Sequence, residues 1–211
     1  MSEALFGPML GPIDIEEAVI ATLREWLPAS LRNAEEVRNL PIRSLGRPPA
    51  PESYHGGLDW ESEQQDTLPE VIVICEPAGE PERNPNVTIQ LFTVQVGCVI
   101  LATVDPIEAN ARKTASLWAA ASMVLGQHGA LGSLGAQETL LIGSPKVELL
   151  DPENRRLALG LTTWHVAVDI FHPSAGPVTV KEVEPEGPYP ERPEATKDTI
   201  TVVGQPAATP L

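Results

Sequence analysis

DPIEANARKTASLWAAASMVLG, residues 105–126, is the stretch whose reading decides the fold. Asp105 is placed to cap a helix N-terminus through its carboxylate. Pro106 suits the first turn, where its missing N–H would have had no partner. Glu108 follows Asp105 by three residues, the spacing of a capping box. Ile107, Ala111, Ala115, Trp118, Ser122 and Leu125 recur at intervals of three and four, which sets one mostly apolar stripe along one face. Arg112, Lys113 and Ser116 fall off that stripe, and Gly126 and Gly129 supply stop signals. A helix of this kind needs a layer to cover. Strand-like runs flank it, at 87–104 before and at 139–150 and 157–171 after.

The run at 87–104 has the period of a half-buried strand. Phe92, Val94, Val96, Cys98, Ile100 and Ala102 alternate with Thr93, Gln95 and Gly97. A shorter β-branched run, VIVIC at 71–75, precedes it across EPAGEPERNPN, a Pro- and acid-rich loop at 76–86. Together they predict a long antiparallel hairpin. Residues 146–150, the turn Asp151-Pro152-Glu153-Asn154 and residues 157–171 predict a second hairpin. The last strand changes phase. Leu157, Leu159 and Leu161 are apolar at odd positions, whereas Trp164, Val166, Val168 and Ile170 are apolar at even ones. One extra residue near Thr162 and Thr163 would restore a single buried face, so a β-bulge or sharp bend is expected there. Trp164, Val166, Val168 and Ile170 should then pack with Val94, Val96, Cys98 and Ile100 beneath Trp118 and Leu125.

Outward from this centre, Asp14 and Glu17 suggest a capping box opening a first helix. Its stripe is Ile15, Ala18, Val19, Thr22, Leu23 and Trp26, and Pro28 is expected to end it. A further weak helical turn lies around 31–37. Residues 40–69 read as a long loop without period, a kind of insertion that is usually functional or disordered. Tyr54 and Trp60 within it suggest docking on a neighbouring surface. The glycine-rich QHGALGSLGAQ at 127–137 follows no strand and lacks P-loop spacing, so it reads as a flexible connection. From Pro173 the character shifts to prolines and glutamates, a composition that cannot bury a core of its own. Two β-branched patches in this arm, 178–183 and 199–203, suit strand addition to an exposed sheet edge. Val178, Val180, Ile200 and Val202, with Trp60, are therefore the candidate inter-subunit contacts. The fold class is α+β: a mostly antiparallel sheet of two hairpins with two helices on one face (residues 1–172, with a long loop at 40–70), plus an extended C-terminal arm at 173–211.

Composition narrows the function. The chain has 211 residues, a formal net charge of −15, and only 4% aromatic residues. A duplex-binding domain is usually basic, so tight sequence-blind binding of nucleic acid is not expected. Cys75 and Cys98 fall inside predicted strands and read as small buried side chains, with no disulfide framework. The N-terminus lacks the pattern of a secretory signal, and no apolar run has the length of a membrane span. This predicts a soluble protein made inside the cell. His55, His128, His165 and His172 are scattered without metal-ligand spacing. His165 reads as a solvent-side strand residue. Ser133 and Ser144 lack a nucleophile-elbow context. No catalytic, cofactor or metal residue is assigned, and the chain is not read as an enzyme.

The order of elements, carried by DIEEAVIATLREWLP, LPEVIVICEP, TIQLFTVQVGCVIL, DPIEANARKTASLWAAASMVL and LTTWHVAVDIF over about residues 13–172, resembles the tail terminator proteins of long-tailed bacteriophages. The resemblance implies a small α+β domain with helices on one face of a mostly antiparallel sheet. It implies a structural virion protein that forms a ring, usually hexameric. The ring caps the tail tube, stops its polymerisation and contributes to the head–tail junction. The implied partners are further copies of the chain, the tail tube protein and head–tail connector proteins. DNA would pass through without specific binding, and no cofactor or membrane is involved. The implied place is the head-proximal end of the tail, after assembly in the host cytoplasm. The 40–69 loop and the arm depart from the family pattern. Another head–tail connector subunit, a head-closure or adaptor protein, is the alternative reading. A small hydrolase or ligand-binding α+β domain would need a concave pocket with convergent polar groups.

Overall fold

The computed structural model describes residues 10–57, 68–84, 87–103, 105–150 and 156–170. Two helices, α1 (Pro12–Val37) and α2 (Ile107–Ser122), pack on one face of a seven-stranded sheet. The strands are β1 (Tyr54–Gly56), β2 (Glu70–Pro77), β3 (Glu82–Asn84), β4 (Val87–Leu101), β5 (Glu138–Leu141), β6 (Lys146–Leu149) and β7 (Leu157–Asp169). Their order is β1-β2-β4-β7-β5, with β3 pairing the start of β4 and β6 pairing β7 beyond β5. Every pairing is antiparallel except β1 with β2. The protein is α+β, as the sequence predicts.

The core lies between the helices and the even-numbered residues of β4 and β7. Val94 pairs with Trp164 and Phe92 with Val166, and these side chains are buried with Val96, Cys98, Trp118 and Leu125 in one cluster. Trp118 donates its indole N–H to the Leu45 carbonyl at 2.8 Å. Trp164 donates to the Thr162 hydroxyl at 3.0 Å, so neither buried indole is left unpaired. Ser30 Oγ donates to the Ala121 carbonyl at 2.8 Å and fastens α1 to α2.

Several local expectations fail, each for a physical reason. The bulge near Thr162 and Thr163 is absent: β7 runs in unbroken one-to-one register with β4, from Leu157 opposite Leu101 to Asp169 opposite Ile89. The buried face simply continues through Ala158, Gly160 and Thr162. Small residues are required there because α2 crosses close above. A Cβ on Gly160 would sit far inside the van der Waals radius of the Ala115 carbonyl oxygen and 3.2 Å from Ala119 Cβ. Leu157, Leu159 and Leu161 therefore point to the other face of the sheet.

Pro28 does not end the first helix but lies inside it. An interior proline costs roughly 3 kcal/mol. Leu27 and Leu31 on either side are buried, and each such burial contributes about 1.5–3 kcal/mol. Continuing the helix wins, and the weak turn expected around 31–37 is its last part. The N-cap is Gly11, not Asp14. Pro12 occupies the first turn, and Asp14 Oδ2 accepts the Gly11 N–H at 2.7 Å from three residues on. At α2 the N-cap is Pro106, with no side-chain capping bond. Glu108 instead pairs with Arg112, one turn along, at 3.2 Å.

The loops are also more ordered than expected. Residues 123–134 form short 3-10 turns, Met123–His128 and Gly132–Leu134, with Leu131 and Leu134 buried in the core. They are a packed corner, not a flexible link. The 40–69 loop contains the 3-10 turn Pro51–Ser53 and β1, whose Tyr54 is buried. The loop at 76–86 contains β3.

Candidate functional site

Among the described residues, no helix packs on the other face of the sheet. Register alignment across β2, β4 and β7 brings Ile72, Gly97 and Leu161 into one row, and Val99 and Leu159 into the next. Ile74 and Leu150 extend this apolar strip, which encloses a groove of about 330 Å³. Gly97 makes it possible, since Leu159 Cδ1 lies only 2.9 Å from where a Cβ would be. Glu148 lies beside the groove. Farther along the same face, opposite His165, Leu140 is 55% exposed. His165 is half-buried and outside the core, on the non-helical face.

The second surface is a cleft of about 800 Å³ between the 40–47 segment, the end of β4 and α2. It is built from a buried carboxylate. Glu35, near the end of α1, is 6% exposed and accepts the Arg43 N–H at 3.0 Å and the Leu45 N–H at 2.9 Å. This folds residues 41–45 back under the helix, where the Leu45 carbonyl receives the Trp118 indole. The cleft floor is apolar, with Leu40, Ile100 and Leu117. Its rim carries Arg43, Arg47 and Lys113, and no carboxylate is among its lining residues within the described part of the chain. Beside it Ile42 is 88% exposed.

The titratable groups in the core are quiet chemically. Burial pushes the Cys98 thiol up to about 12. Burial, with the Glu16 and Glu76 carboxylates, pushes Cys75 up to about 12. A thiol so shifted is protonated at neutral pH and is a poor nucleophile. Both cysteines are buried and free, as the strand pattern predicts. Glu16, on α1, accepts the Cys75 N–H at 2.9 Å, just past the point where β1 stops covering the edge of β2. Burial pushes the Tyr54 phenol up to about 12, despite the Arg24 guanidinium 5.4 Å from its ring centroid. Its hydroxyl has no hydrogen-bond partner among the described residues. His128 stacks on Trp26 at 4.1 Å between ring centroids. Among the described residues no group of three or more His, Cys, Asp or Glu converges as a metal site, and no helix is long and apolar enough to cross a membrane.

Trp60, Val178, Val180, Ile200 and Val202, the contacts expected from sequence, lie outside the described residues, as do His172 and the arm from 173 onward. Neither the groove nor the cleft follows from the sequence pattern alone. The groove has a signal, the odd-numbered leucines of 157–161, which by phase alone reads as a bulge. The cleft has one too: Arg38, Arg43 and Arg47 form a basic stretch in an acidic chain.

No protein-family model and no curated protein matches the chain. Among solved structures, it is similar to a chain described as part of the "virion of native gene transfer agent (GTA) particle". The similarity has a TM-score of 0.44 at 12% identity and covers 74% of this chain and 94% of that one.

Proposed function

We propose that the protein is a structural subunit of a phage-like virion, and that it works as a ring-forming tail terminator. The observation that carries this reading is the apolar face of the sheet that neither helix of the described residues covers. An apolar strip outside the core marks an interaction surface, and Ile74, Leu159 and Leu161 line one on the face opposite both helices, with Leu140 farther along that face. The order of helix, hairpin, helix, hairpin agrees with the resemblance carried by the five sequence stretches. The subunit caps the tail tube, halts its growth and joins it to the head. It performs no catalysis. The arm clasps a neighbouring copy by strand addition to a sheet edge.

The acidic balance suits a channel that DNA crosses. Carboxylates on a lumen repel phosphate within a Debye length of about 8 Å at physiological salt. The test is imaging of the purified protein by negative stain, with and without tail tube protein. Rings that dock on tube ends and limit tube length are expected. A protein that remains monomeric at high concentration by light scattering, and leaves tube growth unchanged, refutes the reading. Rings that bind only the head side of the junction would instead identify a connector subunit.

A further inference from the structure

We propose that the basic cleft between the 40–47 segment and α2 receives the acidic stretch 182–186 of a neighbouring copy's C-terminal arm. The inference rests on the assembly reading above and names the surface where the arm engages.

The first argument is charge. The chain carries 29 carboxylates and 14 basic side chains. Among the described residues, a cleft lined by Arg43, Arg47 and Lys113 and by no carboxylate is therefore an outlier in its own protein. None of the three cations makes an ion pair within the described residues. A concave surface with one sign of charge and low-dielectric walls concentrates the opposite charge. The sequence EVEPE at 182–186 puts three glutamates in five residues, with Val183 and Pro185 between them. In an extended chain, alternate residues face opposite sides. Glu182, Glu184 and Glu186 would then meet the rim cations, while Val183 and Pro185 would lie on the floor of Leu40, Ile100 and Leu117. A nucleic acid fits less well, because its phosphates would use the rim and leave that apolar floor uncovered.

The second argument is length. The cleft lies beside Ile100 and Leu101, at the end of the sheet where β7 begins. The chain leaves β7 at Asp169, opposite Ile89, which is the other end. Twelve residue steps along β4 separate the two ends, about 40 Å at strand rise. The chain from Ile170 to Glu182 also spans twelve steps, and reaches at most about 40 Å fully taut. That leaves no slack for the reversal a return to its own cleft would need. A cleft on the next subunit imposes no reversal.

The test uses the full-length protein as an equal mixture of unlabelled and 15N-labelled chains, treated with a carbodiimide. This reagent joins a lysine amine to a carboxylate only when the two already touch. The expected product is an amide between Lys113 and Glu182, Glu184 or Glu186, found in mixed-isotope peptide pairs. Its yield should fall about tenfold in Arg43→Glu/Arg47→Glu, the change that one lost increment of 1.4 kcal/mol in affinity gives. Links confined to one isotope, links from Lys113 only to other carboxylates such as those of 58–67, or no Lys113 link overturn the proposal. So does displacement of the link by a short single-stranded oligonucleotide that then protects Lys113. Mass photometry of the same samples separates the two readings. Oligomers without the link refute this inference alone, whereas monomers throughout refute the assembly reading.

Discussion

Replacing Gly160 by alanine tests how closely α2 sits on the sheet. The added Cβ would point at the Ala115 carbonyl oxygen, well inside contact distance, and lie 3.2 Å from Ala119 Cβ. The obstacle is helix backbone, so no rotamer change relieves it. Either α2 lifts from β7 or β7 bends away from β4, and the cluster of Trp118, Leu125 and Trp164 loosens with it. Overpacking of a core typically costs 1–3 kcal/mol, and a backbone clash belongs at the upper end, about 3 kcal/mol. For a chain of this size, that corresponds to a fall of roughly 6–12 °C in Tm. Gly97→Ala is the matched control on the opposite face. There the new Cβ meets only the end of the Leu159 side chain, at 2.9 Å, which can rotate into the groove. It should cost less than about 1 kcal/mol. Urea unfolding of both variants, followed by tryptophan fluorescence, gives the comparison. If Gly160→Ala costs no more than Gly97→Ala, α2 does not approach the sheet as described, and the account of the unbroken β7 register loses its cause.

Tyr54→Phe removes a buried hydroxyl that lacks a partner among the described residues, so it should leave stability unchanged or raise it, by up to about 1 kcal/mol; a loss above that amount would mean the hydroxyl is hydrogen-bonded. Cys75 and Cys98 have folded pKa values raised from 9.0 to about 12, and Tyr54 is raised from 10.0 to about 12. Their contribution to stability is complete below the unfolded values and is lost as pH rises towards the folded ones. The urea midpoint should therefore fall between pH 8.5 and pH 11, and Cys75→Ser/Cys98→Ser should flatten that slope; equal slopes would refute the assignment. Glu35→Ala strips the acceptor from the Arg43 and Leu45 amides. It should cost about 3 kcal/mol, given 1.5–3 kcal/mol for each hydrogen bond to a charged group with partial compensation by water, and faster exchange of those two amides should accompany it. Trp118→Ala should cost about 3–5 kcal/mol through a core cavity, and a shift below about 1 kcal/mol would remove Trp118 from the core.

The features legible in the sequence were those fixed by local periodicity. Alternation at 92–102 and the three-and-four spacing through Trp118 each identify an element and its buried side without tertiary information. The failures came where a tertiary contact outweighed a local rule. Pro28 reads as a stop, but burial of Leu27 and Leu31 carries the helix through it. The phase change at 157–164 reads as a bulge only if buried positions must be large. Ala158, Gly160 and Thr162 are buried because α2 is close, and closeness is not written in hydrophobicity. The cleft depends on Glu35 organising residues eight and ten positions on, and on an indole meeting a carbonyl 73 residues away. No window of sequence contains both walls.

The uncovered face also constrains how the proposed ring would hold together. Val99 is 1% exposed although no helix of the described residues covers it. A partner would gain chiefly from Ile74, Leu159, Leu161 and Leu140, a modest apolar area for a permanent interface. Such a surface favours weak pairwise association. A closed ring counters this, since each subunit then makes two contacts and no interface is left open at an end. An arm adds tethered contacts whose effective concentration is set by its length, without requiring a larger face. Weak faces joined by long arms suit a protein that must not polymerise on its own before a tail tube exists. Under the proposed function they would also give an order of events: the tube end would supply the template, the faces would close the circle, and the arms would then resist its opening. In that order the arms matter more for retention than for recruitment, so cleft variants should still reach tube ends but leave them sooner.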